Sequence, residues 1–277
     1  MTMGKKGWLL AAALIFMTVL TACGGGTPAN QADTPAAEAS QNALERIKAS
    51  GKLRLATSAD FPPFEFHSII DGKDTIIGSD IAIAKEIAAD LGVELVITDM
   101  GFDGLLTALQ SGNVDIVLAG MTADAERAQS VDFSTTYYTS VQKVVVRGAD
   151  KEKYKAVADL AGQKVGAQLG SIQEGVVTDQ MAESEVRALT KIPDLILDLK
   201  SGNVEAVVLD APVAEAYVKA NPELVIADVQ LQQDEDGFAA AMPKNSPELV
   251  EAVNATIQRL IDSGKMEEFV TEATNAM

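Results

Sequence analysis

The chain has 277 residues, 47% of them hydrophobic, enough for one large domain or two modest ones, each with its own core. Its formal charge is −18 with no basic stripe, which excludes a nucleic-acid surface, since that needs clustered Lys and Arg to meet phosphates. A single His and a single Cys leave no parts for a His-rich metal site, a Ser–His pair or an internal disulfide, so neither cofactor nor metal is expected.

In chain order, Lys5 and Lys6 precede an apolar run from Trp8 to Leu20, too short to span a bilayer comfortably. A basic start, a short apolar core and small residues predict an export signal over 1–22. Its end, LTAC, resembles a bacterial lipobox, which implies cleavage before Cys23 and acylation of that residue. Two or more acyl chains anchor firmly where one does not. Residues 23–43, rich in Gly, Ala, Pro and Gln, read as a flexible tether.

From Leu44 the pattern alternates. LERIKAS closes a short helix against Gly51, KLRLATS is a strand, and DFPPFEF reads as a loop or turn. Ile81, Ala84, Ile87, Ala88 and Leu91 recur at helical spacing before Gly92. VELVITDM is a strand, FDGLLTALQSG a helix and VDIVLAG a buried strand. This order of elements predicts a doubly wound parallel sheet. After YYTSVQKVVVRG a second series follows: KVGAQ, GSIQEGVVTDQMA, EVRALT, IPDLILDLKSG and VEAVVLD, again strand, helix, strand, helix, strand. Ten residues are nearly repeated, SGNVDIVLAG at 111–120 and SGNVEAVVLD at 201–210. Leu105, Leu106 and Leu109 match Leu195, Ile196 and Leu199, so two α/β lobes of like topology are predicted. Ligands of open α/β sheets bind beyond the carboxyl ends of the strands, where Gly120 and Asp210 stand.

Several residues near those ends carry useful chemistry. Thr122 or Asp124 is placed to cap a short helix, and Arg127 offers a planar donor fork suited to a carboxylate. Gly170–Ser171 opens a helix after a strand, an anion-friendly set of amides. Asp210 supplies a carboxylate. Phe61 and Phe102 stand at strand-to-helix junctions, where a ligand side chain fits between rings. Together these suit a zwitterion.

At these residues the chain resembles the family-3 extracellular solute-binding proteins, the amino-acid receptors of ABC importers. The carriers are ATSADFPPFEF, FDGLLTALQSGNVDIVLAGMTADAERAQSVDFSTTYY, VGAQLGSIQEG and VEAVVLDAP, in that order. The resemblance implies the type II periplasmic-binding-protein fold, two doubly wound α/β lobes joined by two crossing hinge segments. The first lobe would hold 44–137 plus 237–277, the second 142–232, and the hinge 138–141 and 233–236. It implies that Arg127 holds an α-carboxylate with the Thr122 and Ile172 amides. Asp210 would hold the α-ammonium with the Gly120 carbonyl, and Phe61 and Phe102 would sandwich the side chain. Ser58, Met121, Gln168 and Ser171 complete the expected site. Some members that bind cationic amino acids carry an acid right after the first strand's Thr; here Ser58 stands there, and Leu209 precedes Asp210. A polar or cationic amino acid is expected, with no single one picked out.

The resemblance further implies a monomer anchored outside a bacterial membrane only through its lipid, delivering a free amino acid to an ABC permease and its ATPase. The chain lacks a GxSxG motif, a Walker loop and a dinucleotide fingerprint, and is not expected to be an enzyme. The alternatives on the same fold are a cyclohexadienyl-type dehydratase, which needs a general acid in the cleft and no ammonium clamp, and a sensory ligand-binding module.

Overall fold

The computed structural model describes residues 42–233 and 236–277. The predicted signal, the acylation site at Cys23 and most of the tether lie outside these residues, as does the middle of the second predicted crossing.

The first lobe opens with α1 (Ala43–Ser50), whose N-cap Asn42 accepts from Glu45 N–H while the Glu45 carboxylate reaches back to the Asn42 N–H. This capping box places the last two residues of the expected tether in the folded lobe. β1 (Lys52–Thr57) follows. The DFPPFEF stretch, expected as a loop, instead contributes β2 (Asp60–Phe61) and the start of β3 (Glu65–Ile70), which pairs with β4 (Lys73–Ile77) in a small antiparallel sheet. The prolines fall between strands, where no ladder hydrogen bond is lost. Next come α2 (Ser79–Leu91), β5 (Glu94–Asp99), a 3₁₀ turn at Phe102–Gly104, α3 (Leu105–Gln110), β6 (Ile116–Val117) and β7 (Val131–Phe133).

The second lobe comprises β8 (Gln142–Arg147), β9 (Lys164–Gln168), α4 (Ile172–Gln180), β10 (Glu185–Leu189), α5 (Ile192–Ser201), β11 (Ala206–Asp210), α6 (Ala211–Ala220) and β12 (Leu224–Ile226). The chain then returns through β13 (Ala241–Pro243) and ends in α7 (Pro247–Asp262) and α8 (Lys265–Asn275). Strand orders are β5-β1-β6-β13-β7 in the first sheet and β10-β9-β11-β8-β12 in the second.

Each sheet keeps a parallel core but is not wholly parallel. β13 meets β6 and β7 antiparallel, and β8 meets β11 and β12 antiparallel. The reversal arises where the chain passes between lobes: each passage brings a strand in from the opposite end. The two passages pair with each other, since Phe238 N–H donates to the Tyr138 carbonyl at 2.8 Å and Tyr137 N–H to the Phe238 carbonyl at 2.9 Å. The rings of Phe61, Phe64, Tyr138 and Phe238 cluster around them with centroids 4.9–6.1 Å apart.

The repeated ten-residue stretches do the same work twice. Gly112 and Gly202 take left-handed φ of 73° and 78° after α3 and α5, and Val114 and Val204 are buried as the chain enters β6 and β11. Leu105, Leu109, Leu195 and Leu199 are likewise buried beneath their sheets.

Candidate functional site

The two lobes meet across a gap with about 220 Å³ of atom-free space, open solvent included. It is lined by Phe61, Phe102, Gly120, Thr122 and Arg127 from the first lobe and by Gln168, Ser171, Ile172, Gln173 and Asp210 from the second. Nine of these ten were expected from sequence; Gln173 was not. Two expected residues stand elsewhere. Ser58 is buried and donates its hydroxyl to Asp60 Oδ1 at 3.1 Å, and Met121 is packed in the apolar cluster with Phe102, Leu105 and Val131.

Arg127 sits on a 3₁₀ turn, Arg127–Gln129, shorter than the helix expected after Thr122. Asp124 Oδ1 accepts the Arg127 N–H at 2.8 Å, and its other oxygen lies 3.3 Å from Arg127 Nε. Nη1 donates to the Thr122 carbonyl at 2.9 Å, while Nη2 crosses to the Gly170 carbonyl of the second lobe at 3.0 Å. The guanidinium carbon lies 5.5 Å from the Phe102 ring centroid, within cation–π range. Burial lowers the Arg127 pKa from its ordinary value, with Asp124 opposing. A desolvated guanidinium of this kind binds a carboxylate more strongly than a solvated one.

Across the gap, Ser171 caps α4 by accepting the Glu174 N–H, so Ile172 starts a helix whose first amides have no intrahelical partner. The Gly170 amide is already engaged, donating to Glu174 Oε2 at 2.7 Å.

Asp210 ends β11 and is 1% exposed. Gln142, its register partner on β8, donates from Nε2 to Oδ1 at 2.8 Å, and Gln173 donates to Oδ2 at 2.6 Å. No ion pair among the described residues includes Asp210. Burial pushes its pKa up to about 6, against the pull of the Gln142 amide, the Ser140 hydroxyl and the Gln173 amide. Asp210 is thus a buried carboxylate with no cation partner among the described residues, facing a gap that holds an arginine on its other wall. Gln142 and Gln173 were missed because neither lies beside Asp210 in sequence; strand register and a facing helix bring them there.

Gly120 shapes the gap. Its φ is +52°, and a Cβ there would collide with the Phe61 ring. Its N–H donates to Asp80 Oδ2 at 2.9 Å, an oxygen that also accepts the Tyr137 hydroxyl at 2.6 Å. Glu65, the register partner of Phe61, lies beside Asp80 with both carboxyl oxygens buried and unpartnered among the described residues. Ionised together, the two would be acceptors facing acceptors. Burial and then Asp80 hold Glu65 well above the usual carboxylate range. Asp80 itself is pushed by burial to about 6. Asp60, raised by burial with Lys191 opposing, is a third acid in the same region. Ser58 withholds an acid from this wall, but Asp60, Glu65 and Asp80 put three behind Phe61.

Two α/β lobes enclosing a polar gap, with paired crossings on one side, define a two-lobed solute-binding protein. The chain belongs to the bacterial extracellular solute-binding proteins, family 3, whose model matches residues 53–274. It is 35% identical over 268 residues, 95% of each chain, to the arginine-binding extracellular protein ArtP of Bacillus subtilis. It is 30% identical to the L-cystine-binding protein TcyJ of Escherichia coli, over 83% of this chain and 85% of that one. Among solved structures it is similar to the amino acid ABC transporter substrate-binding protein AbpA of Streptococcus pneumoniae bound to L-arginine. The identity is 46% and the TM-score 0.81, over 84% of this chain and 98% of that one. The relatives are binding proteins, and so is this chain, rather than an enzyme.

Proposed function

We propose that the protein binds a free L-amino acid with a cationic side chain, of the arginine type, between its lobes and delivers it to an ABC permease. The observation that carries this reading is the pairing, on one gap, of a largely buried Arg127 and a buried Asp210 that has no cation partner among the described residues. The α-carboxylate would meet Arg127 and the Ile172 amide, the α-ammonium would meet Asp210 and the Gly120 carbonyl, and the side chain would run between Phe61 and Phe102. Asp60, Glu65 and Asp80 lie behind Phe61 and Gly120, and an ionised carboxylate there would favour a positive side chain. The arginine-binding relatives point the same way.

In this reading Cys23 carries the lipid anchor and residues 24–41 tether the lobes outside the membrane. Closure by motion about the two crossings would present a closed form to the permease. Replacing Cys23 by Ser should release the protein into the medium; retention in the membrane fraction would refute the anchor. The deciding experiment is a thermal-shift screen of the twenty amino acids against the mature chain, since ligand binding stabilises the folded state by mass action. L-arginine should give the largest shift. A larger shift with a neutral amino acid would overturn the cationic reading, and no shift with any would overturn amino-acid binding.

A further inference from the structure

Asp60 stands on β2 in the first lobe and is buried. Most of its polar contacts cross to the second lobe. Oδ2 accepts the Ile192 N–H at 3.1 Å, and Oδ1 accepts from Gln168 Nε2 at 3.4 Å as well as from Ser58 in its own lobe. Its carbonyl oxygen accepts the Tyr217 hydroxyl at 2.8 Å. Lys191 Nζ lies 4.0 Å from Oδ2, 3.4 Å from Asp99 Oδ1 and 3.3 Å from the Met100 carbonyl.

The bond to Ile192 has a distinct chemistry. α5 begins at that residue, and its N-cap, Lys191, makes no side-chain cap bond. Lysine has no acceptor to offer there, and its charge repels the positive end of the helix dipole. The acceptor that the helix lacks comes instead from Asp60, 132 residues upstream and in the other lobe. The sign is right as well, since a carboxylate stabilises a helix N-terminus.

We propose that Asp60 is a latch of the closed form: by capping α5 across the gap it holds the lobes together without using the ligand, and so sets how long a bound solute stays. Opening the lobes strips α5 of its cap, parts Tyr217 from the Asp60 carbonyl and pulls Lys191 from Asp60 and Asp99. Asp60 also fixes the Gln168 amide on the gap wall, so it positions a lining residue. It is a positioning residue, and its effect should appear in dissociation more than in association.

The test uses the chain from residue 24 onward, which omits Cys23, spin-labelled at Lys85→Cys and Lys219→Cys, one exposed site on each lobe. Interlobe distances are measured by double electron–electron resonance without ligand, and dissociation of L-arginine by stopped flow. Asp60→Ala should lengthen the unliganded distance distribution and speed dissociation about fivefold or more, with association within about twofold. Asp60→Asn, which keeps a good cap, should stay within about twofold of wild type on both readings. Tyr217→Phe should shift both in the same direction as Asp60→Ala, by less. Unchanged distances and dissociation in Asp60→Ala and Tyr217→Phe would overturn the latch, as would an Asp60→Asn effect equal to that of Ala. Should Asp60→Ala fail to fold, Tyr217→Phe decides alone. The distances are read without ligand, so a failure of L-arginine to bind counts against the amino-acid reading and leaves the latch to be judged on them.

Discussion

Gln173 Nε2 lies 2.6 Å from Asp210 Oδ2, so two amides and, among the described residues, no lysine or arginine hold a carboxylate only 1% exposed. Amides satisfy its lone pairs without neutralising its charge. That arrangement suits a group kept ionisable for an incoming cation, and under the proposed function Asp210 would cost stability in the empty protein and favour binding in the loaded one.

Removing either end of the clamp should show this directly. Asp210→Asn and Arg127→Ala should each weaken L-arginine binding by about 2–5 kcal/mol, the usual cost of stripping one partner from a buried charge pair. Calorimetry on both variants checks it; wild-type affinity in either would remove that residue from the clamp.

The empty protein should respond to the same change in the opposite sense. Asp210 has a folded pKa of about 6 against an unfolded value near 3.8, so the native state holds the extra proton between those values. Its contribution to stability is therefore greatest below the unfolded value and falls as pH rises through the window, becoming flat above about pH 6. Without ligand, Asp210→Asn should match wild type near pH 4 and be more stable at pH 7, by about 3 kcal/mol at most. Denaturant unfolding at the two values checks it, and an equal gap at both would contradict the raised pKa.

Binding should carry the linked proton. An α-ammonium requires the ionised carboxylate, so L-arginine affinity should decline as pH drops through about 6, approaching tenfold per unit below it. Titrations across pH 4.5–8, repeated with Asp210→Asn, check it. A wild-type profile as flat as the variant's would rule out Asp210 as the ammonium partner.

Glu65→Gln separates side-chain recognition from the clamp. Glu65 is buried with a strongly raised pKa, so a neutral isostere should leave the melting temperature of the empty protein unchanged or higher. L-arginine binding should fall about tenfold or more, with smaller loss for any neutral amino acid that binds. Equal losses for both kinds of ligand would mean that Glu65 serves the fold alone.

Gly120→Ala should harm binding and stability together. A Cβ at φ +52° meets the Phe61 ring, which packs against Phe64 and Phe238 on one side and lines the gap on the other. A loss of about 1–3 kcal/mol in unfolding free energy is expected, measured in urea with L-arginine affinity alongside.

Much of this was legible in the sequence because it is written locally. Helical spacing from Ile81 to Leu91 marked α2, and the doubled SGNV stretch marked two strand ends of equal rank. Arg127, Asp210, Phe61 and Phe102 were found because each stands at or shortly after a recognisable strand end. What was missed depends on pairing at a distance. Gln142 reaches Asp210 only through the β8–β11 register, and Asp60, Glu65 and Asp80 become one acidic wall only when β2 and β3 pair and α2 packs beside them. The prolines of DFPPFEF suggested irregular chain, whereas the strands form on either side of them. Met121 follows Gly120 directly and so looked like lining, but the chain turns at Gly120 and sends it inward.

The place of β13 has a consequence for how the protein is made. It lies between β6 and β7, yet it is synthesised more than a hundred residues after both. The second lobe's strands run without interruption from 142 to 226, so that lobe can mature while the end of the chain is still being made. The first lobe must wait with its sheet split until residues 241–243 arrive. A nascent chain stalled near residue 230 would present one finished half and one open seam, so that interval is when the first lobe has most unpaired edge to expose.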